Sequence, residues 1–364
     1  MEALVNPAWR GRRVLVTGDS GFKGSWLSLW LHAMGAKVTG FSLPPPSDPS
    51  LFDAVRLDLL IDHVEGDVRD PAAVRTAVER ARPDIIFHLA AQPLVRLSYE
   101  QPIETYAANV MGTVHVLEAA RQVGGVTGIV CVTSDKCYEN REWDWPYRES
   151  DPMGGHDPYS SSKGCAELVV SAWRSSYFQH EGPALASVRA GNVIGGGDWA
   201  ADRLVPDLIR AFEAGVAPLI RSPDSVRPWQ HVLEALGGYL MIAERLMAGE
   251  RRFADGWNFG PSDEDARPVR WIVDRMRSAW SDGAVSPTLD GGARPHEAGL
   301  LRLDCSRART ALGWQPALRL SDTIDWIVDW HKRVGAGEDA RAVTLEQIGR
   351  YIERAGRGIA QAAA

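Results

Sequence analysis

A chain of 364 residues, 45% hydrophobic and 24% charged, has the composition of a globular protein able to bury one or two cores. A net charge of −7 argues against a nucleic-acid binder, which would show a basic face, and no apolar run approaches the roughly 18 residues of a membrane span. The four cysteines lack metal-ligand spacing and the N-terminus MEALVNPAWRGRR lacks an apolar signal core, so a cytoplasmic protein with reduced thiols and no metal is expected.

Arg13–Thr17 (RVLVT) reads as a buried strand, and residues 21–34 as a helix. Lys37–Phe41 is a second strand, closed by the loop-forming LPPPSDPS, and Ile61–Glu65 a third. A helix over Pro71–Ala81 leads to a fourth strand at Asp84–Leu89, and a long helix over Thr105–Val123 to a fifth at Gly128–Thr133. Tyr159–Phe178 is helical again and Ala184–Arg189 is a sixth strand. Strands and helices alternating on this spacing imply right-handed crossovers: an α/β fold, a doubly wound parallel (Rossmann) sheet with its ligand crevice at the carboxyl ends of the strands. Beyond Arg189 turns such as GGGDW and GPSD separate shorter elements, with helices at Leu233–Met247, Val269–Ala279 and Ser321–Lys332 and a helical tail from Gly335. A smaller lobe closing over the first is expected. Trp326 and Trp330, at helical spacing, read as core or interface.

The first strand runs straight into Gly18-Asp19-Ser20-Gly21-Phe22-Lys23-Gly24 and a helix. Glycines there permit a tight turn and let a pyrophosphate approach the helix N-terminus, where unpaired N–H groups and the dipole attract anions. Asp19 would repel that anion and is expected to cap the helix instead. The second strand ends Phe41-Ser42, without the acidic residue that holds an adenosine ribose, so the loop does not choose between NAD and NADP.

Tyr159 and Lys163 are four residues apart at the start of a helix and share a face. An ammonium and the positive nicotinamide ring beside a tyrosine lower its pKa, so the pair can take a hydroxyl proton while hydride leaves the same carbon. Ser134, Asp135 and Lys136 follow the fifth strand, where this fold keeps its chemistry. Ser134 can hydrogen-bond the reacting hydroxyl; Asp135 and Lys136 form a second acid/base pair, which a dehydration needs and a simple dehydrogenase does not. Only five of the 40 basic residues are lysine (Lys23, Lys37, Lys136, Lys163, Lys332). A lysine kept against that bias points to a need for proton exchange, which arginine lacks.

With these motifs together, the chain resembles the extended short-chain dehydrogenase/reductase superfamily, and within it the CDP-glucose 4,6-dehydratases. The matching stretches include VTGDSGFKGSWLSLWL, HLAAQPLVRLSYEQP, VTSDKCYENREW, GGHDPYSSSKGCAELV, VRAGNVIGGGDW and RPWQHVLE. The wider group of sugar-nucleotide 4,6-dehydratases carries glutamate where Lys136 stands. The resemblance implies bound NAD, contacted by Gly18, Ser20, Gly21, Phe22, Gly24, Asp67, Val68, Ala90, Gln92, Tyr159 and Lys163. It implies CDP-glucose as substrate, its diphosphate held by Asn192 and Arg227. It also implies catalysis by Ser134, Asp135, Lys136, Tyr159 and Lys163, with the roles of Asp135 and Lys136 open to exchange. The expected division is a NAD-binding domain over 12–188 plus about 230–258 and a sugar-nucleotide lobe over about 189–229 plus 259–334. A helical extension follows over 335–364, and the assembly expected is a homodimer or homotetramer. The competing readings are a sugar-nucleotide 4-epimerase or reductase on the same fold, which needs no Asp135/Lys136 pair, and a non-catalytic dinucleotide sensor.

Overall fold

The computed structural model describes residues 4–281, 284–289 and 299–362, with side chains of the last helix described to residue 356. Twelve strands are present among them: β1 (Arg13–Thr17), β2 (Lys37–Ser42), β3 (Asp62–Glu65), β4 (Ile85–His88), β5 (Gly128–Val132), β6 (Ala184–Ala190), β7 (Asn192–Ile194), β8 (Leu219–Ile220), β9 (Val226–His231), β10 (Gly256–Phe259), β11 (Ala266–Pro268) and β12 (Thr288–Leu289). Seven form one sheet in the order β10-β6-β5-β4-β1-β2-β3, and every pairing in it is parallel. The order reverses between β1 and β4, which opens a crevice at their carboxyl ends. β10 was not among the strands expected; its four residues, GWNF, are too short for a periodic signal.

Side chains of a strand alternate between faces, and both faces here are apolar. Val14, Val16, Ile85, Phe87, Val130 and Val132 pack on one side with Trp26, Trp30 and Leu236. Leu15, Ile86, Ile129 and Cys131 pack on the other with Val74, Val116, Leu117 and Val170. These strands therefore read as continuous apolar runs, as a sheet buried on both faces requires. The helix Pro71–Ala81 starts where expected because Asp70 accepts from the N–H groups of Ala72 and Ala73 and Pro71 occupies its first turn.

The helix expected over Thr105–Val123 is interrupted. Pro102–Tyr106 and Gly112–Val123 are joined by one wider π turn, Ala107–Met111, a form often found at functional sites.

A three-stranded sheet, β11-β9-β7, sits beside the main one. Its core joins Trp229 to Leu208, Ile272, Met276, Ile324 and Ile327 from the helices Leu204–Glu213, Val269–Trp280 and Leu320–Gly335. Trp326 and Trp330 are core residues, and Trp330 donates to Thr344 of the last helix, Ala340–Ala362. That helix packs back onto the helix Phe22–Ala33 beside the main sheet, where Tyr351 meets the edge of Trp30.

Candidate active site

The glycine loop turns at Gly18, whose φ of +79° favours glycine. A Cβ on Gly18 would lie 2.7 Å from the Ala90 backbone nitrogen, and one on Gly24 only 2.0 Å from the Gly18 carbonyl oxygen. Gly21 caps the helix Phe22–Ala33 with no side chain, so the first-turn N–H groups stay open to an anion. A cradle that any Cβ would fill, next to an uncapped helix N-terminus, fits the pyrophosphate of a dinucleotide.

Asp19 does not cap this helix. It is fully buried beneath β2, where Gly40 leaves room for it, and its Oδ2 lies 2.7 Å from His63 Nδ1 on β3. Its carboxylate raises the His63 pKa, through their hydrogen bond above all. The partner that turns Asp19 away from the helix is 44 residues distant in sequence, which hid it. Ser20 donates to the Leu43 carbonyl and Ser42 to Ser20, so these hydroxyls tie the glycine loop to the end of β2.

Asp67 is held by Arg69 and bends the chain after β3. Val68 packs on Gly112, and its carbonyl lies 2.9 Å from His115 Nδ1. Ala90 donates to Thr17 Oγ1, itself 2.7 Å from His88, an imidazole that burial keeps neutral. Gln92 is clamped by Asn109, which accepts from its N–H and donates to its carbonyl and to Ser162 of the tyrosine helix. Asn109 stands in the π turn and was not singled out in the sequence. Its signal is tertiary: it joins the crevice after β4 to the helix carrying Tyr159.

That helix, Pro158–Ser176, begins with Asp157 accepting from the Ser160 N–H and with Pro158 in its first turn. Tyr159 and Lys163 are both buried against the end of β5, and Lys163 Nζ lies 3.5 Å from the Val132 carbonyl oxygen. The expected lowering of the tyrosine is not present in the protein alone. Burial pushes Tyr159 up to about 12 against a hydrogen bond with Ser134, and burial brings Lys163 down to about 8. Burial is the largest cause for both groups, opposed at Tyr159 by Ser134 and Arg203 and at Lys163 by Glu167. Glu167 forms a buried ion pair with Arg189 at 2.8 Å and accepts from Thr133 and Ser187, locking the helix to β5 and β6.

Ser134 donates to Asp135 Oδ1 at 3.0 Å and accepts from the Lys136 N–H. Burial raises the Asp135 pKa, and its Oδ2 is buried without a hydrogen-bond partner. Lys136 enters a small cavity that Ser160, Asp157, His156, Asn140 and Arg227 also line. The structure thus brings Lys136 and Arg227 to one cavity beside the tyrosine helix. Asn192 stands apart from that cavity's lining, at the start of β7, paired in register with Trp229 of β9. His156 and Asn140 are lining residues that sequence reasoning missed. A cavity of about 1010 Å³ lies elsewhere, between Leu4, Trp30, Leu240, Trp314 and Tyr351, and holds none of the candidate residues.

Residues 15–326 match the family described as GDP-mannose 4,6 dehydratase. The CDP-glucose 4,6-dehydratase of Salmonella typhimurium is 57% identical over 349 residues, covering 94% of this chain and 97% of its own. Two solved structures share the fold. The UDP-glucose 4-epimerase of Thermotoga maritima has a TM-score of 0.77 at 20% identity, covering 88% of this chain and 99% of its own. The dTDP-glucose 4,6-dehydratase of Streptomyces venezuelae, solved with NAD bound, has a TM-score of 0.73 at 22% identity, covering 90% and 99%.

Proposed function

The chain belongs to the GDP-mannose 4,6 dehydratase family, and on that footing we propose that it is an NAD-dependent hydro-lyase acting on CDP-glucose. The product is CDP-4-dehydro-6-deoxyglucose. The observation that carries this reading is the placement of Asp135 and Lys136 directly after β5, with Lys136 opening into the cavity that the tyrosine helix and Arg227 share. An epimerase needs one proton-transfer group at C4. This site offers two further groups suited to acid/base work.

Gly18, Gly21 and Gly24 would hold NAD, which would supply the redox chemistry as acceptor and then donor of the hydride exchanged between C4 and C6. Tyr159 removes the C4 hydroxyl proton, with Ser134 hydrogen-bonded to both partners and Lys163 orienting the ring. The resulting C4 ketone acidifies the C5 proton. Lys136 takes that proton, while Asp135 protonates the C6 hydroxyl, which departs as water. A carboxyl whose pKa burial holds above the usual range suits the donor's part. A proton returns to C5 as C6 is reduced, which balances the loss of one water. Arg227 and Asn192 hold the diphosphate from the second sheet, and Asp67, Val68, Ala90 and Gln92 line the adenosine and nicotinamide ends of the crevice.

Two sides of the reading reach beyond the site. A homodimer or homotetramer assembles through the helices Gly112–Val123 and Pro158–Ser176, near which Ile103, Met111, Leu168 and Tyr177 expose large apolar side chains. The protein works in the cytoplasm, in keeping with its free cysteines; among the described residues no helix is long and apolar enough to cross a membrane. The test of function is product mass. Incubation with CDP-, dTDP-, UDP- and GDP-sugars should convert CDP-glucose alone to a product lighter by one water. An isomer of unchanged mass would make the protein an epimerase.

A further inference from the structure

Asp135 and Lys136 sit on a short turn, Asp135–Cys137, that begins after Thr133 and Ser134 and ends at Tyr138. Asp135 takes its side-chain hydrogen bond from Ser134 beside it, and its second carboxylate oxygen has none. The placing of both groups therefore depends on what holds the turn. One buried guanidinium holds it from both sides. Arg189 of β6 donates from Nε and Nη2 to the two Glu167 oxygens, each at 2.8 Å, and Glu167 accepts from the Thr133 hydroxyl ahead of the turn. From Nη1 the same guanidinium donates to the Tyr138 hydroxyl behind the turn, also at 2.8 Å. Tyr138 donates onward to Asn258 of β10 and lines the cavity that Lys136 enters. Because Glu167 belongs to the tyrosine helix, the same grip fixes the turn against Tyr159 and Lys163. A buried ion pair is often no more stabilising than well-packed apolar side chains of similar volume. Stability alone therefore does not account for this one, whereas a forked, charge-assisted contact fixes direction as well as distance.

We propose that Arg189 is a positioning residue for the loss of water. It grips Thr133 through Glu167 and Tyr138 directly, and so sets Asp135 and Lys136 against C5 and C6 of the sugar. The inference rests on the dehydratase reading above. Its two arms act on different steps. Ser134, which serves the hydride step beside Tyr159, adjoins the Thr133 arm, whereas Lys136 is the nearer of the two to the Tyr138 arm. A catalytic group displaced by about 1 Å loses up to about 10²-fold in rate. A loosened Tyr138 arm therefore costs the elimination more than the oxidation at C4.

Removing Arg189 would leave Glu167 charged and unpaired in the core, so the test cuts the arms instead. The protein loaded with NAD is mixed rapidly with CDP-glucose. Nicotinamide absorbance follows the hydride step, and product mass in quenched samples follows the loss of water. Tyr138→Phe deletes only the hydroxyl. It should slow loss of water by about 10–100-fold while the hydride step stays nearly unchanged, so that reduced cofactor accumulates. Thr133→Val should slow both steps, because Ser134 adjoins that arm. Ser187→Ala takes a hydroxyl from the same Glu167 without touching either arm, and should leave both rates nearly unchanged. Equal slowing of the two steps in Tyr138→Phe, or no slowing in either arm variant, overturns the proposal. Water loss slowed as much in Ser187→Ala as in Tyr138→Phe also overturns it, because a loosened core would then suffice. A wild-type protein that neither reduces NAD nor releases water from CDP-glucose would instead overturn the dehydratase reading beneath it.

Discussion

Tyr159 shows how far a motif fixes chemistry and where the protein must add to it. Four residues of spacing put it on one face with Lys163, but burial raises the phenol to about 12 instead of lowering it. The ring is therefore neutral in the protein alone, so the proposed mechanism couples proton removal to the hydride leaving C4. Replacing Tyr159 with Phe should cut turnover of CDP-glucose by about 10²–10⁴-fold while NAD affinity changes little, as separate rate and binding measurements would show. Asp19 carries the opposite lesson. The expectation of a helix cap followed from its position, whereas its partner, His63, was invisible until β3 lay beside β2. Because His63 is raised by that carboxylate, the charged pair is fully formed below the ordinary histidine value of about 6.5 and is lost as pH rises through the folded value. Denaturant unfolding across pH 5 to 9 should show this decline in the wild type and lack it in His63→Gln.

At the scale of elements, the legible features were those carried by short stretches of chain. Gly18, Gly21 and Gly24 with the strand before them, and Tyr159 with Lys163, are each local patterns, and the structure puts them on the elements expected. Features built from distant segments were not legible. Glu167 looked like an unremarked helical residue four positions past Lys163, yet it pairs with Arg189 of β6 and accepts from Thr133 and Ser187. Tyr138 and Asn258 extend the same buried network to β10. The π turn at Ala107–Met111 was hidden for a similar reason, since Asn109 finds Gln92 and Ser162 only in the folded chain. Removing one member of a buried ion pair leaves the other charge uncompensated. Glu167→Ala should therefore lower unfolding free energy by about 3–5 kcal/mol in chemical denaturation. A loss below about 1 kcal/mol would mean the helix is held to the sheet by apolar packing alone.

At the scale of the whole molecule, the last helix is tied into the core by Trp330, which donates to Thr344, and by Tyr351, which meets the edge of Trp30. Glu234, in the helix Val232–Met247, accepts from the N–H groups of Ala317 and Leu318 and from the Tyr351 hydroxyl, so three distant segments meet on one buried carboxyl. Burial lifts Glu234 to about 7 from an ordinary 4.5. The folded state then binds the extra proton between those values, so stability falls as pH climbs from 4.5 to about 7 and levels off above. Glu234→Gln removes that slope. It should gain on the wild type by roughly 3 kcal/mol in unfolding free energy between pH 4.5 and pH 8. A difference independent of pH would show that folding does not shift the Glu234 carboxyl. The division into a NAD domain, a sugar-nucleotide lobe and a helical extension remains our proposal.

All three scales converge on one claim: that two hydride transfers bracket the loss of water at a single site. CDP-glucose deuterated at C4, mixed with unlabelled substrate and the purified protein with NAD, tests it most directly. The account predicts a 4-dehydro-6-deoxy product with the deuterium at C6 of the same molecule and no net reduction of NAD. Deuterium washed out or passed between molecules, NADH formed in proportion to product, or a C4 epimer of unchanged mass would contradict it.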